Sequence, residues 1–262
     1  MSSPPLGIDP QQTPTPDWAE LAARLTTALH LAPPPVAIAF WEAASPDRPV
    51  PAADQHLHLP TARPNEHGRT GSVPAGCVFW IKGTHAQYVT GAADHANCSV
   101  GSLTHGFRSL PEVAANDDLQ ALLASGWVDE AGVTALPVVP HGTDTVAYAP
   151  LATASFAPQV VLVRLNARGL MTVKNAVPEL SVQGKPQCHI VAIAKNQQRV
   201  AASVGCALSR ARTGMGADEA TCVFPAATLP TLIIKLEHHA ALDSSMARYA
   251  STDARRFSAR MW

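Results

Sequence analysis

Apolar residues fall along most of this chain in short runs separated by Pro- and Gly-rich breaks. Trp18, Leu21, Leu25 and Leu29 recur at helical spacing, and Thr15 before Pro16 offers a cap and a first-turn proline. A first helix is therefore predicted, stopped by Pro33-Pro34-Pro35. Val36–Trp41 is a continuous apolar run bounded by those prolines and reads as a buried strand. Residues 43–75 carry no periodicity, which suits a lid, a binding loop or disorder. Cys77–Lys82 and Ala86–Thr90 predict two strands about a Gly83-Thr84 turn, and Asp94–Leu103 suits a helix ending at Gly106. A helix from about Asn116 to Ser125 closes on Gly126. Leu136–Pro140 and Thr145–Tyr148 are short extended pieces. Gln159–Leu165 is the clearest strand, with Asn166 capping a helix that carries Leu170, Met171 and Val173. Cys188–Ala194, Arg199–Ser203 and Thr221–Phe224 are predicted strands, and a last helix runs from about Leu229 to Tyr249. This alternation predicts an α/β (or α+β) fold.

The order of these elements repeats. In each half a strand (Val36–Trp41, Gln159–Leu165) precedes a strand opening on a cysteine (Cys77, Cys188), then another strand, then a second cysteine (Cys98, Cys206). The cysteines are 21 residues apart in the first half and 18 in the second, and Gly106 and Gly214 each follow the second cysteine by eight. The expectation is two weakly similar α/β halves, 31–126 and 136–236, packed as one compact unit within a single domain over 17–250. A disordered Pro-rich tail, 1–16, precedes it and a C-terminal extension, 251–262, follows.

Composition narrows the function. The chain has 262 residues, 19 Lys+Arg against 20 Asp+Glu, and only 15% charged residues. That balance, without a basic block, excludes a polybasic nucleic-acid binder. No apolar run approaches the ~20 residues of a membrane helix, and no secretory leader is visible in Met1-Ser2-Ser3-Pro4-Pro5. The expected setting is cytoplasmic, with no membrane or nucleic-acid partner. The low charge fraction suggests a surface buried against another subunit, a homo-oligomer.

In a reducing compartment five cysteines are not read as a disulfide framework. Four thiols brought together across two related halves are a soft-ligand set, suited to Zn²⁺ or an iron–sulfur cluster, although no C-x₂-C spacing is present. The ligand candidates are Cys77, Cys98, Cys188 and Cys206, with His95 beside them. Alternatively, Cys77 and Cys188 open buried strands as small apolar residues, as Cys222 is expected to do in its Val/Phe-flanked strand. On one continuous helix His95, Cys98, Ser102 and His105 would share a face. His95 could then ligate a metal with Cys98, or support a Cys98 thiolate as a nucleophile. In the bland alternative, Asp94 is a helix cap, His95 a surface residue and Cys98 core. His56, His58 and His67 read as solvated residues of the long loop. His189 is expected on the opposite strand face from Cys188. Arg210 and Arg212 either bind an anionic group or line a solvated surface. Asp218-Glu219 reads as a cap for the next element. The phosphate-binding loop, serine-hydrolase elbow and H-E-x-x-H motifs are absent.

Several motifs together resemble the DUF169 family of bacteria and archaea, a family whose name carries no activity. They are Pro34-Pro35-Val36-Ala37-Ile38, Gly76-Cys77-x-Phe79-Trp80, Asp94-His95-x-Asn97-Cys98-x-Val100-Gly101-x-x-Thr104-x-Gly106, and Ser203-x-Gly205-Cys206 with Arg210, Thr213-Gly214 and Asp218-Glu219. The resemblance runs from about Leu31 to Leu236. It implies that Cys77, Asp94, His95, Cys98, Cys188 and Cys206 belong to the pattern of the scaffold. Ala93 stands where an acidic residue is expected, and Ser209 where Asn is expected.

The function expected from these observations is a thiolate-ligated metal or iron–sulfur protein, a redox or sulfur-transfer enzyme acting on a small molecule, with Arg210 or Arg212 neutralising an anionic ligand. Zinc is the alternative metal. The competing expectations are a metal-free enzyme with Cys98 as nucleophile and His95 or His105 as base, and a binding module for haem or another cofactor.

Overall fold

The structure is a computed structural model that describes residues 16–49, 87–95, 98–207, 210 and 215–258. The predicted tail through residue 15, the strand predicted at Cys77–Lys82, most of the loop at 43–75, and Arg212 lie outside the described residues. Among the described residues eight α-helices surround a seven-stranded mixed sheet, so the fold is α/β, as predicted. In chain order the helices are α1 (Trp18–Leu29), α2 (Ser99–Thr104), α3 (Leu110–Ala114), α4 (Asp117–Ala124), α5 (Glu130–Thr134), α6 (Ala167–Ala176), α7 (His189–Gln197) and α8 (Leu229–Ser258). The strands are β1 (Val36–Glu42), β2 (Tyr88–Thr90), β3 (Thr143–Pro150), β4 (Val160–Asn166), β5 (Ser181–Gln183), β6 (Ala201–Ser203) and β7 (Glu219–Pro225), in the spatial order β2-β3-β1-β4-β7-β6-β5.

Strand alternation sends side chains to two separate cores. Ala37, Val161, Val163, Leu165, Cys222 and Phe224 face α1, α6 and α8. Val36, Ile38, Phe40, Val146, Tyr148, Val160, Leu162 and Val223 face the layer made by α2 and α7. Cys222 is fully buried in the first core, as expected. A smaller cluster of Leu103, Val113, Leu119 and Val133 ties α2 to α3, α4 and α5.

The central pairing is self-reciprocal. β1 and β4 run antiparallel with Val36 opposite Leu162, Ala37 opposite Val161 and Ile38 opposite Val160. An approximate two-fold through the Ala37–Val161 pair accounts for the neighbouring ladders too. Val36 pairs with Pro150 and Val160 with Pro225. Thr90 pairs with Val146 and Ser203 with Thr221. After each proline a 3₁₀ turn begins, and its first N–H donates to a matching carbonyl: Leu151 to Pro35 at 2.8 Å and Ala226 to Gln159 at 3.0 Å. In this frame Cys98 follows β2 and Cys206 follows the equivalent strand, β6. β3 lies beyond residue 136 in sequence yet pairs with β1 and β2.

Several local expectations are corrected. Asp17, not Thr15, caps α1: its side chain accepts from the Glu20 N–H at 3.0 Å, leaving Pro16 outside the helix. The segment after Cys188 is a helix rather than a strand. Its residues Ile190–Ala194 are buried all round, so their continuous apolar run carried no helical stripe. Asp94–Leu103 is not one helix: a 3₁₀ turn at Ala92–His95 precedes α2, which starts only after Cys98. No strand forms at Leu136–Pro140. The last helix continues past Tyr249 through Ser258. Among the described residues no helix is long and apolar enough to cross a membrane.

Candidate functional site

The break between the 3₁₀ turn and α2 turns Cys98 into a helix cap. Its Sγ accepts the Gly101 N–H at 3.3 Å, and the Asp118 carboxylate accepts the adjoining Ser99 N–H at 3.1 Å. Both contacts place negative or polarisable atoms at unpaired helix N–H groups. Gly101 is needed for this closeness. A Cβ there would lie 3.1 Å from Cys98 Sγ and 3.7 Å from His95 Nδ1.

His95 and His105 are both buried under an aromatic cover. Their ring centroids are 5.3 Å apart; Phe107 lies 4.7 Å from His95 and Phe40 lies 5.7 Å from His105. Nδ1–H of His105 donates to the Gly101 carbonyl at 3.0 Å. Nε2 of His95 lies 3.5 Å from the Thr90 hydroxyl, which donates to the Val146 carbonyl. His95 Nδ1 has no hydrogen-bond partner among the described residues. Burial pushes His95 well below the usual imidazole range, and His105 adds to the shift. Burial lowers His105 to about 4, against an opposing hydrogen bond to Gly101. Both rings are therefore neutral at pH 7, the form in which imidazole binds metal or accepts a proton.

Cys188 immediately precedes α7, without a side-chain cap hydrogen bond, and α7 packs on α2. Burial raises its thiol pKa, and the Cys98 and Cys206 thiols are near enough to raise it further, while the Thr104 hydroxyl opposes them. Cys98 and Cys206 therefore lie within electrostatic reach of Cys188, and Cys77 lies outside the described residues. The bland reading of His95 as a surface residue is corrected: it is 1% exposed. His95 and Cys98 still meet, through a turn and a cap rather than a shared helical face. Among the described residues no group of three His, Cys, Asp or Glu side chains is placed to hold a metal ion.

Arg210 serves its own loop. Its guanidinium donates to the main-chain carbonyls of Gly216, of Val204 at 2.5 Å and of Glu219 at 3.0 Å. Gly205 has a φ of +90° beside it. Glu219 accepts from Arg164 Nε at 3.0 Å and from the Gly216 N–H at 2.6 Å. Burial would raise its carboxyl pKa, but these contacts outweigh burial and lower it. His189, expected on a strand face opposite Cys188, is the first residue of α7 instead, and its Nε2 lies 3.3 Å from Gln183 Oε1. Phe40, Phe107 and Gln187 are not among the site residues read from the sequence, and Thr104 enters there only as a motif position. The available signal was a polar or aromatic residue beside each His- or Cys-bearing motif.

The DUF169 family model, described as Uncharacterised ArCR, matches residues 24–234. The chain belongs to the DUF169 family. No curated protein and no solved structure gives a significant match. The DUF169 match covers the sheet, the helices that follow Cys98 and Cys188, and the start of α8.

Proposed function

We propose that this DUF169 protein is a thiolate-ligated metal protein, zinc or iron–sulfur, that acts on a small molecule in redox or sulfur-transfer chemistry. The observation that carries the proposal is Cys98 Sγ and His95 Nδ1 facing the same side of Gly101, with Cys188 and Cys206 within electrostatic reach and Nδ1 without a partner among the described residues. Neighbouring thiols oppose one another's ionisation, and a bound cation relieves that opposition by taking all of them as thiolates. The donor types, rather than their present placement, suit a soft metal: the thiols of Cys98, Cys188 and Cys206, a neutral imidazole, and Cys77 as the fourth thiol supplied by sequence. A bound metal would supply Lewis-acid or electron-transfer chemistry. The chain's own residues would hold its thiolates, with the Gly101 N–H polarising Cys98, Thr104 beside Cys188, and Phe40 and Phe107 screening the imidazoles from water. Arg210, whose described contacts tie its own loop together, would orient Cys206 through that loop.

A metal-free nucleophile at Cys98 is the second assignment, favoured by the Gly101 N–H donated to its sulfur. The haem assignment has no comparable support. The ≈ 470 Å³ cleft between α6 and the start of α8 is lined by residues such as Val177, Arg199, Thr231 and Lys235, with no His, Cys or Met. Metal and acid-labile sulfide analysis of anaerobically purified full-length protein is the test. Near-stoichiometric zinc or iron, lost in Cys98→Ser and Cys188→Ser but kept in Cys222→Ser, supports a thiolate centre. Metal-free protein whose Cys98 is alkylated rapidly at neutral pH, and slowly in His95→Ala, would favour the nucleophile.

A further inference from the structure

The ≈ 470 Å³ cleft between α6 and the start of α8 lies on the other side of the sheet from Cys188. Its walls include Ala176, Val177 and Leu232 of the α1/α6/α8 core, whereas Cys188 belongs to the opposite core. One wall is a single helix face. Counted from Thr228 in the preceding 3₁₀ turn, Thr231, Leu232 and Lys235 follow at i+3, i+4 and i+7. Another wall is the turn between α7 and β6. Gln198 there has a φ of +50°, uncommon for a residue with a Cβ, and its amide donates to the Lys195 carbonyl at 2.8 Å. That closed turn places Arg199 and Val200 along the cleft.

The cleft combines apolar surface with unused charge. Val177 and Leu232 are buried, and Val200 is partly buried against the same core. Arg199 and Lys235 are exposed, and neither has an ion-pair or hydrogen-bond partner among the described residues. Other arginines of this charge-poor chain do pair: Arg24 with Glu237, Arg48 with Asp144 and Arg164 with Glu219. Glu179, the acidic residue of the cleft, pairs with neither cation, so two positive side chains stand against one negative.

We infer that this cleft binds a small monocarboxylic acid with an apolar body, aromatic or branched. Arg199 offers a planar fork of N–H donors that matches a carboxylate, with the Lys235 ammonium and the Thr231 hydroxyl as further donors. Val177, Val200 and Leu232 cover the apolar body. Its burial supplies affinity that exposed charges, screened by water, supply only weakly. Glu179 sets the charge limit. A monoanion neutralises the surplus of one positive charge, whereas a phosphate group exceeds it and meets the Glu179 carboxylate. The volume lies within the range of small-molecule sites. The assignment requires neither a metal nor a thiol.

Isothermal titration calorimetry of the full chain with benzoate, benzamide and inorganic phosphate tests it. Benzamide keeps the ring without the charge, and phosphate keeps charge without the ring. Benzoate should bind about tenfold more tightly than either. The double variant Arg199→Gln/Lys235→Gln should bind benzoate about tenfold more weakly than wild type, and Glu179→Gln should bind it more tightly. All three side chains are exposed, so each variant should keep the native circular dichroism. Cys98→Ser should bind benzoate as wild type does. Absence of benzoate binding, equal affinity for benzamide or phosphate, or unchanged benzoate affinity in the double variant would overturn the assignment. Loss of benzoate binding in Cys98→Ser would move the carboxylate to the thiols and overturn it as well. Metal content of the same preparations separates the two proposals: benzoate binding in metal-free wild-type protein would leave the cleft standing and remove the thiolate centre.

Discussion

The two buried imidazoles make stability depend on acidity in a direction the structure fixes. His105 titrates near 4 in the fold and near 6.5 when unfolded, because burial disfavours its charged form. Below pH 6.5 the unfolded chain takes up the proton first. Stability is therefore full above pH 6.5 and is lost as pH falls toward 4. From pH 7 to 4.5 that linkage amounts to about 2 kcal/mol for His105 alone. His95 and His189, also lowered mainly by burial, act in the same direction. Glu112, Asp144, Glu219 and Glu237 are held below their ordinary values, so their losses arise at still lower pH and leave the 4.5–7 window to histidine. The assay is urea denaturation across that window with chelator present, comparing wild type with His105→Phe. Phenylalanine suits a site already bounded by Phe40 and Phe107. The Gly101 carbonyl keeps the His105 main-chain N–H and the Thr104 hydroxyl as donors. The variant should lose about 2 kcal/mol less on acidification. A wild-type profile flat from pH 7 to 4.5, or the same acid loss in His105→Phe, would refute the reasoning.

Other outcomes follow from single residues. Burial raises the Cys188 and Cys222 thiols, so the unfolded chain ionises first and stability falls as pH rises above about 9; denaturation between pH 8 and 10 checks this. In native protein half-buried Cys98 and Cys206 should react with iodoacetamide before Cys188 and Cys222, as peptide mapping would show. Gly106 has a φ of +76°, and a Cβ there would meet the Pro140 carbonyl at 2.4 Å, whereas Gly126, at +69°, has nothing within 4 Å. Gly106→Ala should cost more than ~2 kcal/mol and Gly126→Ala about 1 kcal/mol by chemical denaturation. Gly101→Ala should displace Cys98 Sγ and lower metal content while the far-ultraviolet circular dichroism stays native.

Strands β1, β4 and β7 were legible because each is a continuous apolar run feeding two cores at once. The same property hid α7: a helix buried on every side has no stripe, and Cys188-His-Ile-Val-Ala-Ile-Ala194 reads equally as a central strand. The break before Cys98 was hidden too, because no proline marks it and cysteine is an unusual cap. His95 and Cys98 are neighbours in either geometry, since a 3₁₀ turn followed by a cap also brings residues three apart together. The two-fold sheet register left only a trace in the cysteine spacing. Which strand pairs with which depends on contacts more than a hundred residues apart, such as Ala37 with Val161.

The most direct test of the central claim is the metal-to-chain ratio of anaerobically purified wild-type protein, measured beside Cys188→Ser and Cys222→Ser. These thiols are both buried, one on the α2/α7 face and one in the opposite core. A near-stoichiometric metal that Cys188→Ser loses and Cys222→Ser keeps is the predicted result. Wild-type protein without metal and indifferent to chelator, or metal retained equally by both variants, would contradict it.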